Sequence, residues 1–94
     1  MAIVVRPDRV VSVLLGEGEG GRLTLDQMQA AVGGYIELIR FLNAEWAYLV
    51  VNDEGLLKGL PRNTLASIVA NQPIVGTAII ATPAEIDDPP EGKS

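Results

Sequence analysis

The sequence predicts one small α+β domain in the order ββαββαβ, with a mostly antiparallel five-stranded sheet and two helices. Three observations carry this: β-branched runs at both ends and in the middle of the chain, two short segments with helix-start signals, and glycine or proline punctuation between them. At 94 residues the chain is the size of one domain and buries about 60 to 70% of its unfolded surface. With 48% hydrophobic and 20% charged residues it has the balance of a globular chain and not a disordered one.

"AIVV" and "VVSVLL" are the first two strands, joined through "RPDR". Pro7 presets a turn angle and Asp8 can bond its own backbone, so a hairpin is the simplest connection. "GEGEGG" then reads as a mobile loop, because repeated glycine and the like charges of Glu17 and Glu19 oppose order. Thr24 and Gln27 stand three apart as a capping box, with Leu23 and Met28 as a hydrophobic staple. The helix they start buries Leu25, Met28, Ala31 and Val32 and leaves through Gly33-Gly34.

"YIELIRFL" and "WAYLVVN" form a second hairpin through "NAE". Both runs are apolar on both alternating faces apart from Glu37 and Arg40, which predicts the middle of the sheet with layers on either side. "NDEGLLKGLPRN" is a polar loop, with Leu56, Leu57 and Leu60 available to plug the core. "TLASIVAN" follows as a short helix with Leu65, Ile68 and Val69 inward, capped by Asn63 or opened by Pro61. Gln72-Pro73 breaks it. "IVGTAIIAT" is the last strand. The globular domain is expected over residues 1–82, and 83–94 reads as a disordered acidic, proline-rich tail.

The chain contains neither cysteine nor histidine. That removes thiolate nucleophiles, disulfides and the commonest acid/base and metal-ligating group, so no catalytic residue, metal or cofactor is assigned. Twelve acids against seven bases give a net charge of -5, and no basic run could follow a phosphate backbone, which excludes nucleic acid as a partner. The 22 uncharged residues from Asn63 to Ala84 are long enough to cross a bilayer, but Asn71-Gln72-Pro73 at their centre would be costly there. With no signal peptide in "MAIVVRPDRV", a cytoplasmic protein of a bacterial host cell is expected, without membrane association.

Gly16-x-Gly18-x-x-Gly21 spells a dinucleotide-binding fingerprint, yet Glu17 and Glu19 would repel a pyrophosphate and the helix begins three residues too late. We read it as a decoy. The loop from Asn52 to Asn63 is more informative. Asn52, Glu54, Lys58, Arg62 and Asn63 crowd together beside a helix start, where Lys58 and Arg62 could hold a small anion or nucleotide. Asp53 and Glu54 are adjacent and diverge on an extended chain, which weakens any paired-carboxylate chemistry. Trp46 and Tyr48 share one strand face with Val50 and suit a core or a dimer surface.

Two separated motifs give a resemblance. Val32, Gly33, Gly34, Tyr35, Ile36 and Glu37, then Asn52, Glu54, Gly55, Gly59, Leu60, Pro61 and Asn63, and finally Gly76, agree in order and spacing with the domain-of-unknown-function family thirty-eight forty-six. The chain resembles this family over residues 32 to 80. The resemblance implies an origin in a phage, plasmid or other mobile element and implies no reaction. The function expected is therefore a small non-enzymatic binding or interaction module that meets a protein partner or itself. Its alternative is an anion-binding protein that sequesters a nucleotide signal.

Overall fold

The computed structural model describes residues 2–41 and 44–86, with side chains 41–46 outside the description. Its five strands are β1 (Ala2–Val5), β2 (Val11–Leu14), β3 (Ile36–Phe41), β4 (Ala44–Asn52) and β5 (Ala78–Ala81). They form one sheet in the order β2-β1-β5-β4-β3, and every neighbouring pair is antiparallel. Helices α1 (Leu25–Val32) and α2 (Thr64–Ala70) complete the ββαββαβ order.

The sheet has a core on each face. Val4, Tyr48, Val50, Ile79 and Ala81 point to α1, where Met28 and Val32 meet them. Their strand neighbours Ala47, Leu49, Val51 and Ala78 point the other way, to Ala66 and Ala70 of α2. This two-sided burial explains why β4 and β5 read as continuous apolar runs, since neither face is left for water. β4 takes the predicted inner position. β3 does not: it is an edge, because β5 inserts between the two hairpins and pairs with β1 and β4. Its Glu37 and Arg40 are accordingly exposed.

Local signals place most boundaries. Thr24 Oγ1 accepts from the Gln27 N–H at 3.1 Å, and Gln27 Oε1 accepts from the Thr24 N–H at 3.2 Å, which closes the capping box. Gly33 ends α1 at φ 84°, a conformation that resists a β-carbon. In the first hairpin the Val10 N–H donates to Asp8 Oδ1 at 3.0 Å.

The glycine-rich loop is not a slack tether. The Gly18 N–H donates to Arg22 O at 2.8 Å, and Gln27, besides capping α1, accepts from the Glu17 N–H and donates to Leu15 O. A β-carbon on Gly16 would collide with the backbone of Gly21 and Arg22. One glutamine side chain thus draws in a segment whose composition alone reads as mobile.

Two helix faces differ from expectation. On α1, Leu25 is exposed and Leu23, just before the cap, is buried instead. On α2, Ile68 and Val69 face solvent, while Ala66 and Ala70, one turn apart, lie on the sheet. Small side chains meet there from both sides, with Ala47 and Ala78 across from them. Residues 83–86 also belong to the folded body. Pro83–Glu85 make a 3-10 turn, the Leu23 N–H donates to Glu85 O at 2.7 Å, and Ile86 is buried with Leu23. Of the expected tail, 87–94 lies outside the described residues.

Asn63 resolves the ambiguity over the α2 cap, and it does more. Its Oδ1 accepts from the Ala66 N–H at 3.0 Å, while its Nδ2 donates to Val5 O at 2.9 Å and Gly76 O at 2.8 Å, all out of solvent. Replacing Asn63 by Ala removes a cap worth about 1 kcal/mol and leaves buried carbonyls unpaired at about 1 to 3 kcal/mol. We expect urea denaturation to show a loss of about 2 to 4 kcal/mol, and Asn63→Asp to be at least as damaging because a carboxylate cannot donate to either carbonyl. Gly16→Ala should cost about 1 to 3 kcal/mol, since the atoms nearest the new methyl group are backbone and cannot swing aside. A neutral Gly16→Ala would mean that the loop is open.

Candidate functional site: the elbow after β4

The loop from Asn52 to Asn63 leaves the end of β4, turns over the sheet and enters α2. Asn52 fixes its start. The Asn52 Nδ2 donates to Val32 O at 3.1 Å, at the end of α1, and its Oδ1 accepts from the Glu54 N–H at 2.7 Å. The Asp53 N–H donates to Tyr35 O at 2.8 Å. The two sequence motifs therefore meet at Asn52, whose amide ties the glycine exit of α1 to the elbow.

The middle of the elbow is a pair of tight turns. The Lys58 N–H donates to Glu54 O, and the Leu60 N–H returns to Gly55 O, both at 3.0 Å. Gly59 sits at φ 66°, where a side chain would be strained. Beyond it the chain pairs with the approach to β5, since the Gly76 N–H donates to Pro61 O and the Asn63 N–H to Ile74 O. Leu60 is the one leucine of the elbow turned inward, against Gly76. Leu56 and Leu57 are 82% and 88% exposed and plug nothing.

Beside this elbow opens a cleft of about 450 Å³ between β3, the loop and the Gln72–Val75 segment. Glu37, Asp53 and Glu54 give it three carboxylates, with Ile39, Ile74 and the two exposed leucines as its apolar part. No Lys or Arg is among the described residues that line it. Lys58 lies instead toward Gly34, and its Nζ stands 3.9 Å from Glu54 Oε1 in an exposed i,i+4 pair. Such pairs are worth a few tenths of a kcal/mol. Arg62 borders a different hollow, with Thr64, Ser67 and Asn71 of the α2 region.

The five residues that the sequence brings forward thus divide. Asn52 and Asn63 are buried and spend their amides on the backbone. Glu54 and Lys58 face solvent together, and Arg62 is exposed elsewhere. An anion held by Lys58, Arg62 and the α2 start meets two obstacles: the cations face different surroundings, and Asn63 already accepts from the Ala66 N–H. The exposure of Leu56 and Leu57 is what the sequence left hidden, because leucines in a glycine-punctuated loop read as core.

Tyr48 is buried at 7% exposure in the α1-side core, with the Arg40 guanidinium 5.7 Å from its ring centroid. That leaves it little surface for another chain, and the side chain of Trp46 lies outside the described residues. Among the described residues no group of three or more acids gathers in a way that could hold a metal ion, and no helix is long and apolar enough to cross a membrane.

Comparison with curated proteins finds no match, and neither does comparison with solved structures. The family comparison does: a model described as a domain of unknown function (DUF3846) matches residues 1–90, which takes in both motifs, both helices and every strand. On that match the chain belongs to the DUF3846 family.

Proposed function

We propose that this domain is a non-enzymatic protein-interaction module, carried by a phage or other mobile element, that receives a basic, apolar-bearing segment of a partner protein in the cleft beside the elbow. The observation that carries it is the pairing of opposites at one place. Leu56 and Leu57 are held out to solvent at the tip of a loop whose backbone is hydrogen-bonded on both sides. Exposed leucines presented on a fixed support are surface kept for contact. The three carboxylates beside them favour lysine or arginine in whatever docks, and repel phosphate.

The same electrostatics speak against the anion-binding alternative at this cleft. Catalysis is the weaker reading too, because the chain has no histidine or cysteine and the cleft's carboxylates are all exposed. The proposed role needs only a rigid presenting surface, which Asn52 and Asn63 supply.

The test is nuclear magnetic resonance titration of the full chain with two synthetic peptide pools, one of leucine with lysine and arginine, one of leucine with glutamate. The basic pool should shift the Asp53, Leu56 and Leu57 amides, and Leu56→Ser/Leu57→Ser should weaken binding about ten-fold or more, as loss of two buried leucines implies. Nucleotides and cyclic dinucleotides should leave the melting temperature unchanged. An anion at 100-fold saturation that added about 2.7 kcal/mol of stability would replace this reading with the alternative.

A further inference from the structure

The two edges of the sheet are guarded differently. β3 ends it with exposed Glu37 and Arg40, the kind of charged side chains that keep an edge from pairing with another chain. β2 ends it on the opposite side with Val11, Ser12, Val13 and Leu14, and carries no charge.

The ladder shows which backbone groups β2 leaves outward. The Arg6 N–H donates to Val10 O, and Val5 and Val4 stand opposite Val11 and Ser12. By the alternation of an antiparallel pair, Val10, Ser12 and Leu14 bond inward to β1, while the N–H and C=O of Val11 and Val13 point away from the sheet. The next outward carbonyl, of Leu15, already accepts from Gln27 Nε2. Within β2, Val11 and Val13 present a short, defined row of four groups.

The side chains on this row are apolar and uncovered. Val11 and Val13 are 54% and 57% exposed, on the α2 face beside Ile3, because the core under α2 draws on β4 and β5 and stops short of the first hairpin.

We propose that β2 pairs antiparallel with β2 of a second copy of this chain, about a two-fold axis through Ser12, to give a continuous ten-stranded sheet. In that register Val11 of each copy exchanges both backbone hydrogen bonds with Val13 of the other. Ser12 faces Ser12 in the non-bonded position, which agrees with its groups being used by β1. The valines of both copies meet side by side on the α2 face.

Charge selects this arrangement. The turn before β2 carries Arg6 and Arg9 around Asp8, and the loop after it carries Glu17 and Glu19. Antiparallel pairing sets the basic turn of each copy beside the acidic loop of the other, twice by symmetry, whereas parallel pairing sets like beside like. Residues 87–94, DDPPEGKS, carry four charged residues and two prolines and follow Ile86, which lies in the core on the α1 side, so this segment is poorly suited to pair with β2.

The test uses the full chain. Sedimentation equilibrium should show a monomer–dimer equilibrium, and amide exchange at Val11 and Val13 should slow as concentration rises while Ser12 is unaffected. Val13→Lys should raise the dissociation constant about ten-fold or more, with circular dichroism unchanged and with an unchanged melting temperature at dilutions where both proteins are monomeric, because each lysine replaces the valine that faces Val11 of the other copy and the two lysines stand as diagonal like-charged neighbours. Glu17→Arg/Glu19→Arg and Arg6→Glu/Arg9→Glu should each self-associate more weakly, and an equal mixture of the two should restore dimer. A strict monomer at millimolar concentration overturns the proposal. So does a dimer that tolerates Val13→Lys, or a charge-reversed mixture that fails to associate.

Discussion

The buried amide of Asn63 donates to Val5 O and Gly76 O and accepts from the Ala66 N–H, and the relative placement of β1, α2 and the approach to β5 depends on those three bonds. A buried primary amide is costly unless it is satisfied, so the bonds specify one arrangement as much as they stabilise it. Ser67 extends the same node. Its Oγ donates to Asn63 O and accepts from the Ile74 N–H, which sets the distance between the first turn of α2 and the segment that leads to β5. Once Asn63 is fixed, the elbow's far end has no freedom, and Asn52 removes it at the near end by donating to Val32 O. Of the three leucines between them, Leu60 turns inward against Gly76 while Leu56 and Leu57 stand in solvent.

That node also explains α2. A seven-residue helix is too short to be stable alone, so its position must come from contacts at its ends and along one face. The Asn63 cap sets its rotation, and Ala66 and Ala70 then face Ala47 and Ala78. Small residues thus line both sides of that contact. Turning it by about half a revolution to bury Ile68 would have to break the cap.

This is where sequence and structure part. The strands, the capping box of α1 and the left-handed exit at Gly33 were legible because each rests on residues within four positions of one another, whereas the start of α2 stood open between Asn63 and Pro61. The faces of the helices were not. Hydropathy ranks Ile68 and Val69 above Ala66 and Ala70, and nothing local says that a side chain 58 positions from Val5 holds the helix in the opposite rotation. The same limit applies to the loop at Gly16. Its glycines and glutamates look slack until Gln27, eleven positions later, supplies two bonds to its backbone. Of the candidate site, the elbow's location was legible, but the division of its residues was not. Asn52 and Asn63 resemble ligand-binding amides in sequence and serve as internal struts. Leu56 and Leu57 resemble core and form the surface.

Strand order has a consequence for recognition that composition conceals. Because β5 enters between the hairpins, each hairpin puts one strand at an edge, and the two edges have unlike chemistry. The β3 edge borders the acidic cleft and carries charges of its own, so it discourages strand pairing and leaves side chains to make the contact. The β2 edge offers backbone groups and valines with no charge among them. One edge is thus suited to reading a partner's side chains and the other to extending the sheet, and they lie at opposite ends of the strand order. Occupation of β2 would leave the elbow of each copy clear, so that a paired sheet would present two clefts to a single elongated or repeated partner. On the two proposals together, two weak contacts joined in that way would bind far more tightly than either alone, with no deep pocket required.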